Sequence, residues 1–399
     1  MPDEESAILP AAQAPAFADE EDLETPGEPR ARPVRLEPPR LAVSQTSSKR
    51  LLHDAMRRSV DTFSTEDGRT GDPKQYVKTW HEDDNVAGQA MKAQVIILRT
   101  RGCSWLHSSG CTMCGYFTDS FFAEVTADDL VTQFDAALAQ NRGTDLVKIY
   151  TSGSFFDPQE VAPDARRYIL ERAGAKTGAL SVECTPEFLK PDVVRDAVRA
   201  VGKLEVGLGL ESSSLRVLTH SVNKGYRLQE FAKAAKTMHD AKGLVKTYLL
   251  FKPPFLSERE AMRDLVASIR DVAPHSDTMS VNPVNVQKHT LVERLYHRKL
   301  YRPGWLWSLV EALREADGWL RAQERRPHLK CYPVGAGKPR GVHNCMTCDP
   351  QFVDLVERFS TSGDGAFLDA AAEIGCACKA TWRRAVEAEP FLAGGTLGR

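Results

Sequence analysis

The sequence of 399 residues predicts an α/β fold in which parallel strands and helices alternate and wind into a partial barrel. Short apolar segments recur from residue 93 to residue 287, as expected for buried strands. Amphipathic segments with helical spacing separate them, and small or polar residues follow each strand. Right-handed crossovers wind six such units into a partial (β/α)6 TIM-like barrel.

The predicted elements follow one another in alternation along the chain. Strands are expected at 93–100, 146–154, 179–187, 203–212, 245–254 and 278–287, and helices at 126–140, 157–174, 186–200, 227–243 and 257–273. Thr126 should cap the first of these helices, because two acids follow it in the first turn. Chemistry in such barrels takes place where the strands end.

Composition divides the chain into four parts. Residues 1–48 are rich in proline and charge, which predicts a disordered N-terminal tail. Residues 49–90 begin with apolar residues at helical spacing and are predicted as an N-terminal helical extension. Residues 91–300 form the predicted barrel, and residues 301–399 a small, cysteine-rich C-terminal α+β subdomain.

The overall composition narrows the class of protein. The hydrophobic fraction of 42% is enough for a sizeable core, and the net charge of −2 confines any nucleic-acid surface to a local patch. No apolar run approaches the roughly 18 residues of a membrane helix. Nine cysteines without a secretion signal favour a reducing, cytoplasmic location and metal binding over disulfides.

Three cysteines lie in one glycine-rich loop directly after the first predicted strand. This loop reads RGCSWLHSSGCTMCGYF and contains Cys103, Cys111 and Cys114. A zinc site would need a fourth ligand, for which His107 is the candidate. A 4Fe–4S cluster explains three thiolates better, because it leaves one iron open for a small molecule. Three buried free thiols are the remaining alternative.

The C-x7-C-x2-C spacing of this loop resembles the cluster loop of radical-SAM enzymes, with the widened first interval of the Elongator radical-SAM subunit and its relatives. The resemblance implies a 4Fe–4S cluster and S-adenosyl-L-methionine as cofactors, and it requires no side chain to act as acid or base in the first step. The cofactor contacts expected from it and from the polar strand ends are Met113, Thr151, Ser152, Gly153, Ser154, Glu183, Gly209, Glu211, Ser212, Asn282 and Gln287.

Their expected roles differ. Met113 would pack on adenine, the turn at residues 151–154 would hold the amino group, and Glu183 would bind the ribose. Glu183 is equally well explained as a solvated acid at a strand end. Asn282, Asn285 and Gln287 are expected to alternate onto one face as cofactor or substrate contacts, unless they form a satisfied core network.

A second group of cysteines follows the barrel. Cys345 and Cys348 form a C-x2-C knuckle, and Cys376 and Cys378 a late C-x-C. Four thiolates suffice for a closed tetrahedral zinc site, with His343 as a reserve ligand. A second iron–sulfur cluster or free buried thiols are the alternatives.

The motifs taken together, in the order "RGCSWLHSSGCTMCGY", "YTSGSF", "GLGLES" and "HNCMTCD" with the late C-x-C, resemble the archaeosine-synthase radical-SAM proteins (RaSEA). The resemblance covers about residues 90 to 380. It implies carbon–nitrogen bond cleavage of a lysine-modified deazaguanine base in tRNA, a lysine-transferring archaeosine-synthase partner enzyme and an electron donor. A radical-SAM enzyme on another modified nucleoside or small molecule, or a non-enzymatic iron–sulfur or zinc RNA-binding module, stays open.

Basic residues accumulate late in the sequence, between residues 321 and 340. A near-neutral protein that binds tRNA needs a local cationic patch for phosphates. The sequence therefore predicts the RNA contact in this segment.

Overall fold

The computed structural model describes residues 45–66 and 71–392 of the chain. The predicted tail, residues 1–48, lies outside the described residues except for its last four, which open a helix. That helix begins at Gln45 rather than at the predicted cap, Ser47 or Ser48.

One eight-stranded sheet forms the centre of the molecule, with the strands in chain order. The strands are β1 (Lys78–Val86), β2 (Gln89–Ile97), β3 (Leu146–Tyr150), β4 (Ala179–Cys184), β5 (Lys203–Glu211), β6 (Leu244–Phe251), β7 (Thr278–Pro283) and β8 (His328–Lys330). Strands β2 to β8 are parallel, and β1 pairs antiparallel with β2. The six predicted strands are confirmed. The sequence analysis missed β1, which lies inside the predicted helical extension, and β8.

Helices connect the parallel strands. They are α1 (Gln45–Glu66), α2 (Ser104–Ser108), α3 (Ala127–Leu138), α4 (Pro163–Thr177), α5 (Pro191–Val201), α6 (Leu215–Val217), α7 (Leu228–Asp240), α8 (Glu258–Val272), α9 (Leu291–His297), α10 (Leu306–Arg321), α11 (Asp349–Ser362), α12 (Ala366–Ala372) and α13 (Cys378–Leu392). The five predicted barrel helices are confirmed. Thr126 caps α3 as predicted, in a reciprocal box with Asp129 that satisfies two backbone donors.

The sheet curls until its two edge strands approach each other. The Lys330 ammonium of β8 lies 2.5 Å from the Asp84 carboxylate of β1, and both side chains are buried. In the turn after β1, Ala87 N–H donates to Thr278 Oγ1 of β7 at 3.0 Å. Side chains, rather than a continuous backbone ladder, therefore join the first strand to the last two and complete the curl.

The two faces of the sheet differ in chemistry. Alternate residues point to opposite faces. The outward residues pack against the helices and include Ile96, Val147, Ile149, Leu180, Val182, Leu204 and Val206. The inward residues are polar and include Lys148, Ser181, Glu205 and Lys246. The interior of the half-barrel is thus a polar space enclosed by an apolar shell.

Residues 301–399 share the apolar shell of the barrel. Trp307 of α10 packs edge-on against Phe352 of α11 at a centroid distance of 4.5 Å and stacks with Trp382 of α13 at 6.0 Å. All three belong to the same continuous core as the barrel residues. The boundary of a separate subdomain near residue 300 stays a prediction. Within the described residues, no helix combines the length and apolar character that a bilayer crossing requires.

Candidate functional site

The cysteine loop lies between β2 and α3, at the carboxyl edge of the parallel strands, and the segment after β5 anchors it. Trp105 Nε1 donates to Asn223 O at 2.9 Å, and Asn223 Nδ2 donates to Gly110 O at 2.7 Å. The backbone N–H of Thr112 donates to Val222 O at 3.0 Å. A loop of small and polar residues has no core of its own, so these bonds position its three thiols.

The turn after β3 packs directly against the first cysteine. A Cβ on Gly153 would lie 2.6 Å from Cys103 Cα and 2.5 Å from Glu160 Oε2, so only glycine fits there. Glu160 accepts from Ser154 N at 2.5 Å and from Thr100 Oγ1 at 2.8 Å. This carboxylate, which the sequence analysis missed, joins the turn to the residues that precede the cysteine loop.

Burial raises the pKa of Cys103, Cys111 and Cys114 to about 12. The ammonium of Lys224 opposes that rise at Cys111 and Cys114. Because the thiolate is the metal-binding form, these thiols deprotonate only when a strongly bound metal or cluster compensates. Buried thiols beside a lysine are consistent with an anionic cluster.

The spacing of the loop thiols distinguishes a cluster from a single ion. Within residues 45–66 and 71–392, only the four C-terminal cysteines form a group of three or more Cys, His, Asp or Glu ligands whose donor atoms all lie within 4.8 Å of one another. A tetrahedral site with bonds of about 2.3 Å places its sulfurs about 3.8 Å apart. At least one pair of the loop sulfurs is therefore more than 4.8 Å apart, which is compatible with a cluster whose irons take one thiolate each.

A buried ion pair lies beside the thiols. Lys224 Nζ is 3.0 Å from Glu211 Oε1, and a Cβ on Gly209 would lie 2.6 Å from that carboxylate oxygen. Gly209 and Glu211 are thus brought together as the sequence predicted. Lys224 was missed, because a lysine in the turn NKGY reads as a solvated cation.

Glu183 lies deeper in the barrel than a contact at a strand end. It pairs in register with Gly207, and its side chain accepts a hydrogen bond from Tyr248. A Cβ on Gly207 would lie 2.7 Å from the Tyr248 ring, so this glycine lets the ring lie across the sheet. Burial raises the pKa of Glu183, and the Tyr248 hydrogen bond opposes that rise.

The other predicted contacts divide into two groups. Gln287 reaches the cysteine loop, where its Oε1 accepts from Gly115 N at 2.5 Å, and Met113 in the same loop packs against the core. Thr151 is buried, while Ser152 hydrogen-bonds Ser120 at 2.7 Å.

Two predicted contacts point away from the barrel interior. Ser212 is fully buried and donates to Asp264 of α8 at 2.8 Å, on the helix side of the sheet. Ser154 is buried and bonded to Thr185 at 3.0 Å. Neither side chain is available to a ligand in this arrangement.

The three amides do not alternate along one strand. Strand β7 ends at Pro283, so Asn282 belongs to the strand while Asn285 and Gln287 lie in the following loop. Asn282 Oδ1 accepts from Ser280 at 3.3 Å, and Asn285 packs beside Gly335. The expectation of a shared face was wrong, because the proline ends the ladder.

The four C-terminal cysteines form a compact cluster. The Sγ–Sγ distances are 3.7 Å for Cys345–Cys348, 3.6 Å for Cys345–Cys376 and 3.7 Å for Cys348–Cys378. These match the edge of a tetrahedron around zinc, about 3.8 Å. Among the described residues His343 is not part of this group; its Nδ1 lies 2.7 Å from Gly341 O.

The electrostatics of this cluster favour metal binding. Backbone N–H groups hydrogen-bond the exposed Cys345 thiolate and lower its pKa to about 6, whereas burial raises the pKa of Cys348. Trp307 Nε1 donates to Cys378 Sγ at 3.4 Å. Donors aimed at thiolate sulfurs are the arrangement found around structural zinc.

The predicted RNA segment at 321–340 is largely engaged in ion pairs. Lys330 is buried against Asp84. Three arginines of the segment each form an ion pair with a carboxylate. These pairs are Arg325–Asp277 at 2.7 Å, Arg326–Asp317 at 2.7 Å and Arg340–Glu293 at 2.6 Å. The prediction was wrong for Lys330. Arg325, Arg326 and Arg340 are paired but partly exposed and Lys338 is exposed, so for these residues the RNA contact stays a prediction.

Comparison with known proteins identifies the family. No protein-family model matches the chain. The archaeosine synthase subunit beta of Methanosarcina acetivorans is 39% identical over 322 residues, which cover 79% of this chain and 91% of that protein. The chain belongs to the archaeosine synthase subunit beta family. The subunit beta of Thermococcus kodakarensis is 37% identical over 317 residues, covering 77% of this chain and 96% of that protein.

Membership of this family makes the chain an enzyme.

An uncharacterised protein of Methanocaldococcus jannaschii is 30% identical over 331 residues, covering 80% of this chain and 88% of that protein. Among solved structures, an Elp3 from Methanocaldococcus infernus aligns with a TM-score of 0.40 at 15% identity, over 54% of this chain and 55% of that one. A methylornithine synthase aligns with a TM-score of 0.43 at 10% identity, over 72% and 75%.

Proposed function

We propose that this archaeosine synthase subunit beta family member is a radical S-adenosylmethionine enzyme that modifies tRNA. The observation that carries the proposal is the set of three half-buried thiols at the carboxyl edge of a parallel half-barrel, whose sulfurs do not all lie within 4.8 Å of one another. When bound, a 4Fe–4S cluster with S-adenosylmethionine supplies a one-electron cleavage that yields a deoxyadenosyl radical, which abstracts hydrogen from the substrate.

The protein's share of this chemistry is to hold and orient the reacting groups. Cys103, Cys111 and Cys114 would ligate the cluster, and the small residues of the turn after β3 would admit the amino group of the cofactor. Glu211, at the carboxyl end of β5 beside the cysteine loop, replaces Glu183 as the candidate for the ribose hydroxyls.

The substrate we propose is a deazaguanine base in tRNA that carries a lysine, and the reaction is carbon–nitrogen bond cleavage to form archaeosine. The similarity to two archaeosine synthase subunits supports this assignment. A subunit named beta requires a partner, and we propose the enzyme that attaches the lysine. An electron donor of the cytoplasm completes the system.

We further propose one structural zinc ion at Cys345, Cys348, Cys376 and Cys378. The sulfur–sulfur distances near 3.7 Å support a single tetrahedral ion. The site lies where α11 and α13 begin, so the ion would connect these two helices to the barrel shell.

The tRNA surface we propose is formed by α1 and α9, beside the cysteine loop. Val292 N of α9 donates to Thr112 O of the loop at 3.2 Å, so α9 adjoins the loop directly. Burial and the positive charges of Arg58 and Arg298 lower the pKa of Arg294. These cations repel one another at the mouth of the barrel, and Arg298 and Lys299 are exposed. Such a surface favours the binding of a polyanion such as tRNA.

The decisive experiment is anaerobic reconstitution with iron, sulfide and S-adenosylmethionine, followed by incubation with tRNA that carries the lysine-modified base. We expect deoxyadenosine and archaeosine in equal amounts, measured by mass spectrometry of nucleosides. Deoxyadenosine without archaeosine would indicate another substrate. Iron loading with no cofactor cleavage under any condition would favour a non-enzymatic RNA-binding module.

The RNA surface is tested by charge reversal at two exposed positions. Arg298→Glu with Lys299→Glu should weaken tRNA binding and lower the salt slope by about two units, one for each lost phosphate contact. Arg142→Glu with Lys176→Glu is the matched control, because these exposed cations precede β3 and β4 at the opposite edge of the sheet. Equal effects of the two double variants would refute the assignment.

A further inference from the structure

The interior of the half-barrel contains a floor of buried ion pairs below the cysteine loop. Three lysines, one each on β3, β6 and β8, point inward and each meets a carboxylate. The pairs are Lys148–Glu82 at 2.6 Å, Lys148–Asp84 at 2.7 Å, Lys246–Glu205 at 2.7 Å and Lys330–Asp84 at 2.5 Å. Buried charges are tolerated when they are paired in this way. The floor is therefore electrostatically complete without a ligand.

Glu183 lies one inward step above this floor. It follows inward-facing Ser181 by two residues on β4, and Ser181 itself bonds both Lys246 and Glu205. Among the described residues Glu183 forms no ion pair, and its hydrogen bond comes from the Tyr248 phenol. The positive charges of Lys246 and Lys148 lower its pKa only from beyond ion-pair distance.

Aromatic side chains surround this unpaired carboxylate. Tyr150 follows Lys148 by two residues on β3 and so faces the same interior. Glu183, Tyr150 and Tyr248 face the interior, yet each is only half-buried. The interior above the floor is therefore a cavity open to a ligand, and Tyr116 of the cysteine loop is 59% exposed.

We propose that Glu183, with the phenols of Tyr116, Tyr150 and Tyr248, binds a primary ammonium group at the far end of the substrate's side chain. A carboxylate and phenol oxygens can accept the three N–H donors of an ammonium, and tyrosine rings attract it electrostatically. Glu183 favours a cation here, because a bound ammonium would supply the ion-pair partner that this carboxylate lacks.

The inference rests on the proposed function, because it places the substrate below the cofactor in one cavity. A side chain anchored at Glu183 would pass Tyr116 and lie beneath Cys114, the direction from which a radical would reach it. Glu183 would then fix which carbon is presented and would act as a positioning residue for the reaction. The lysine-type group of the proposed substrate contains the required ammonium.

The test compares hexan-1-amine with hexan-1-ol, which have the same shape and differ in charge. Binding to the purified full chain with its metals in place is measured by ligand-observed NMR. We expect the amine to bind at least tenfold more tightly than the alcohol, and Glu183→Gln to remove that difference. Glu187→Gln is the matched control, because this exposed acid lies just beyond the same strand.

Tyr248→Phe removes the hydrogen bond to Glu183 without removing the carboxylate, and it should weaken amine binding less than Glu183→Gln does. Equal binding of amine and alcohol to the wild-type chain, or unchanged amine selectivity in Glu183→Gln, would overturn the inference. The assay needs no catalysis, so its result is separate from the proposed function. Amine selectivity in a protein that never cleaves S-adenosylmethionine would leave the inference standing and remove the function.

Discussion

The two groups of cysteines show how the same side chain is held in two different surroundings. In the loop after β2, three half-buried thiols have a pKa raised to about 12, and their sulfurs do not all lie within 4.8 Å of one another. In the C-terminal cluster, four thiols lie 3.6 to 3.7 Å apart along three edges, and Cys345 is exposed with its pKa lowered to about 6.

The difference follows from what holds each group. The loop thiols depend on long-range contacts from the turns after β3 and β5, so their spacing is set by the barrel. The C-terminal thiols come from a C-x2-C knuckle and a C-x-C at the start of a helix. The short intervals within these two motifs bring the four sulfurs together around a gap the size of one metal ion. The first arrangement leaves room for a cluster and a ligand, and the second leaves room for one ion.

The largest expected effect is the loss of the loop cluster. Cys111→Ala should abolish loop-bound iron and reductive cleavage of S-adenosylmethionine, because one iron then loses its only protein ligand and two thiolates do not hold the cluster. The readouts are iron content, visible absorbance and deoxyadenosine formation. Zinc should stay at the wild-type level. Retained brown colour and full turnover would refute the assignment of these thiols.

The reciprocal change should affect stability more than chemistry. Cys348→Ala should remove about one zinc per chain, the content of one four-ligand site, while loop iron is retained. Loss of a structural ion costs folding free energy directly, so the midpoint of thermal unfolding should fall by more than about 4 °C. Metal analysis that finds no zinc in the wild-type chain, with iron beyond one cluster, would instead indicate a second cluster.

A smaller change tests whether the barrel sets the spacing of the loop. Gly153→Ala places a methyl group 2.6 Å from Cys103 Cα, which should displace the first cysteine and lower the iron content without removing a ligand. Gly318→Ala is the control, because nothing lies within 4 Å of its added methyl. That helical site should gain about 0.5–1 kcal/mol of stability. Normal iron in Gly153→Ala would show that the loop adapts.

The smallest expected effect is a pH-dependent change in the folding stability of the barrel, which arises away from the cysteine groups. Burial raises the pKa of Asp264, on α8, from 3.8 to about 6. The unfolded chain ionises at lower pH, so stability falls as pH rises from about 4 through 6. Asp264→Asn should remove that loss and stabilise the chain at pH 7.5 by about 1–2 kcal/mol, after allowance for partial exposure, but not at pH 4. Denaturant unfolding at both pH values measures this; an equal change at both would contradict the assignment.

Local patterns were enough for much of the fold and for locating the two groups of cysteines. The six parallel strands and five barrel helices follow from apolar segments and helical spacing, and the Thr126 cap from one residue and its neighbours. The cysteine spacings mark both groups because ligands close in sequence stay close in the folded chain. Strand β1 escaped prediction because the segment KTWHEDDNV is almost entirely polar, and its inward acids are stabilised by lysines far along the chain.

The sequence by itself determined the alternation, the strand ends and the identity of the thiols, because these depend on neighbours within a few residues. The tertiary structure decided which polar residues face the interior. Ser212, the residue after β5, turns to the helix side while Glu211 meets Lys224, and neither outcome is visible in the run ESSS. Lys330 reads as a surface cation, yet it is buried against Asp84, 246 positions earlier. Buried charge depends on partners that only the folded chain brings together, so the unpaired Glu183 could be recognised only there.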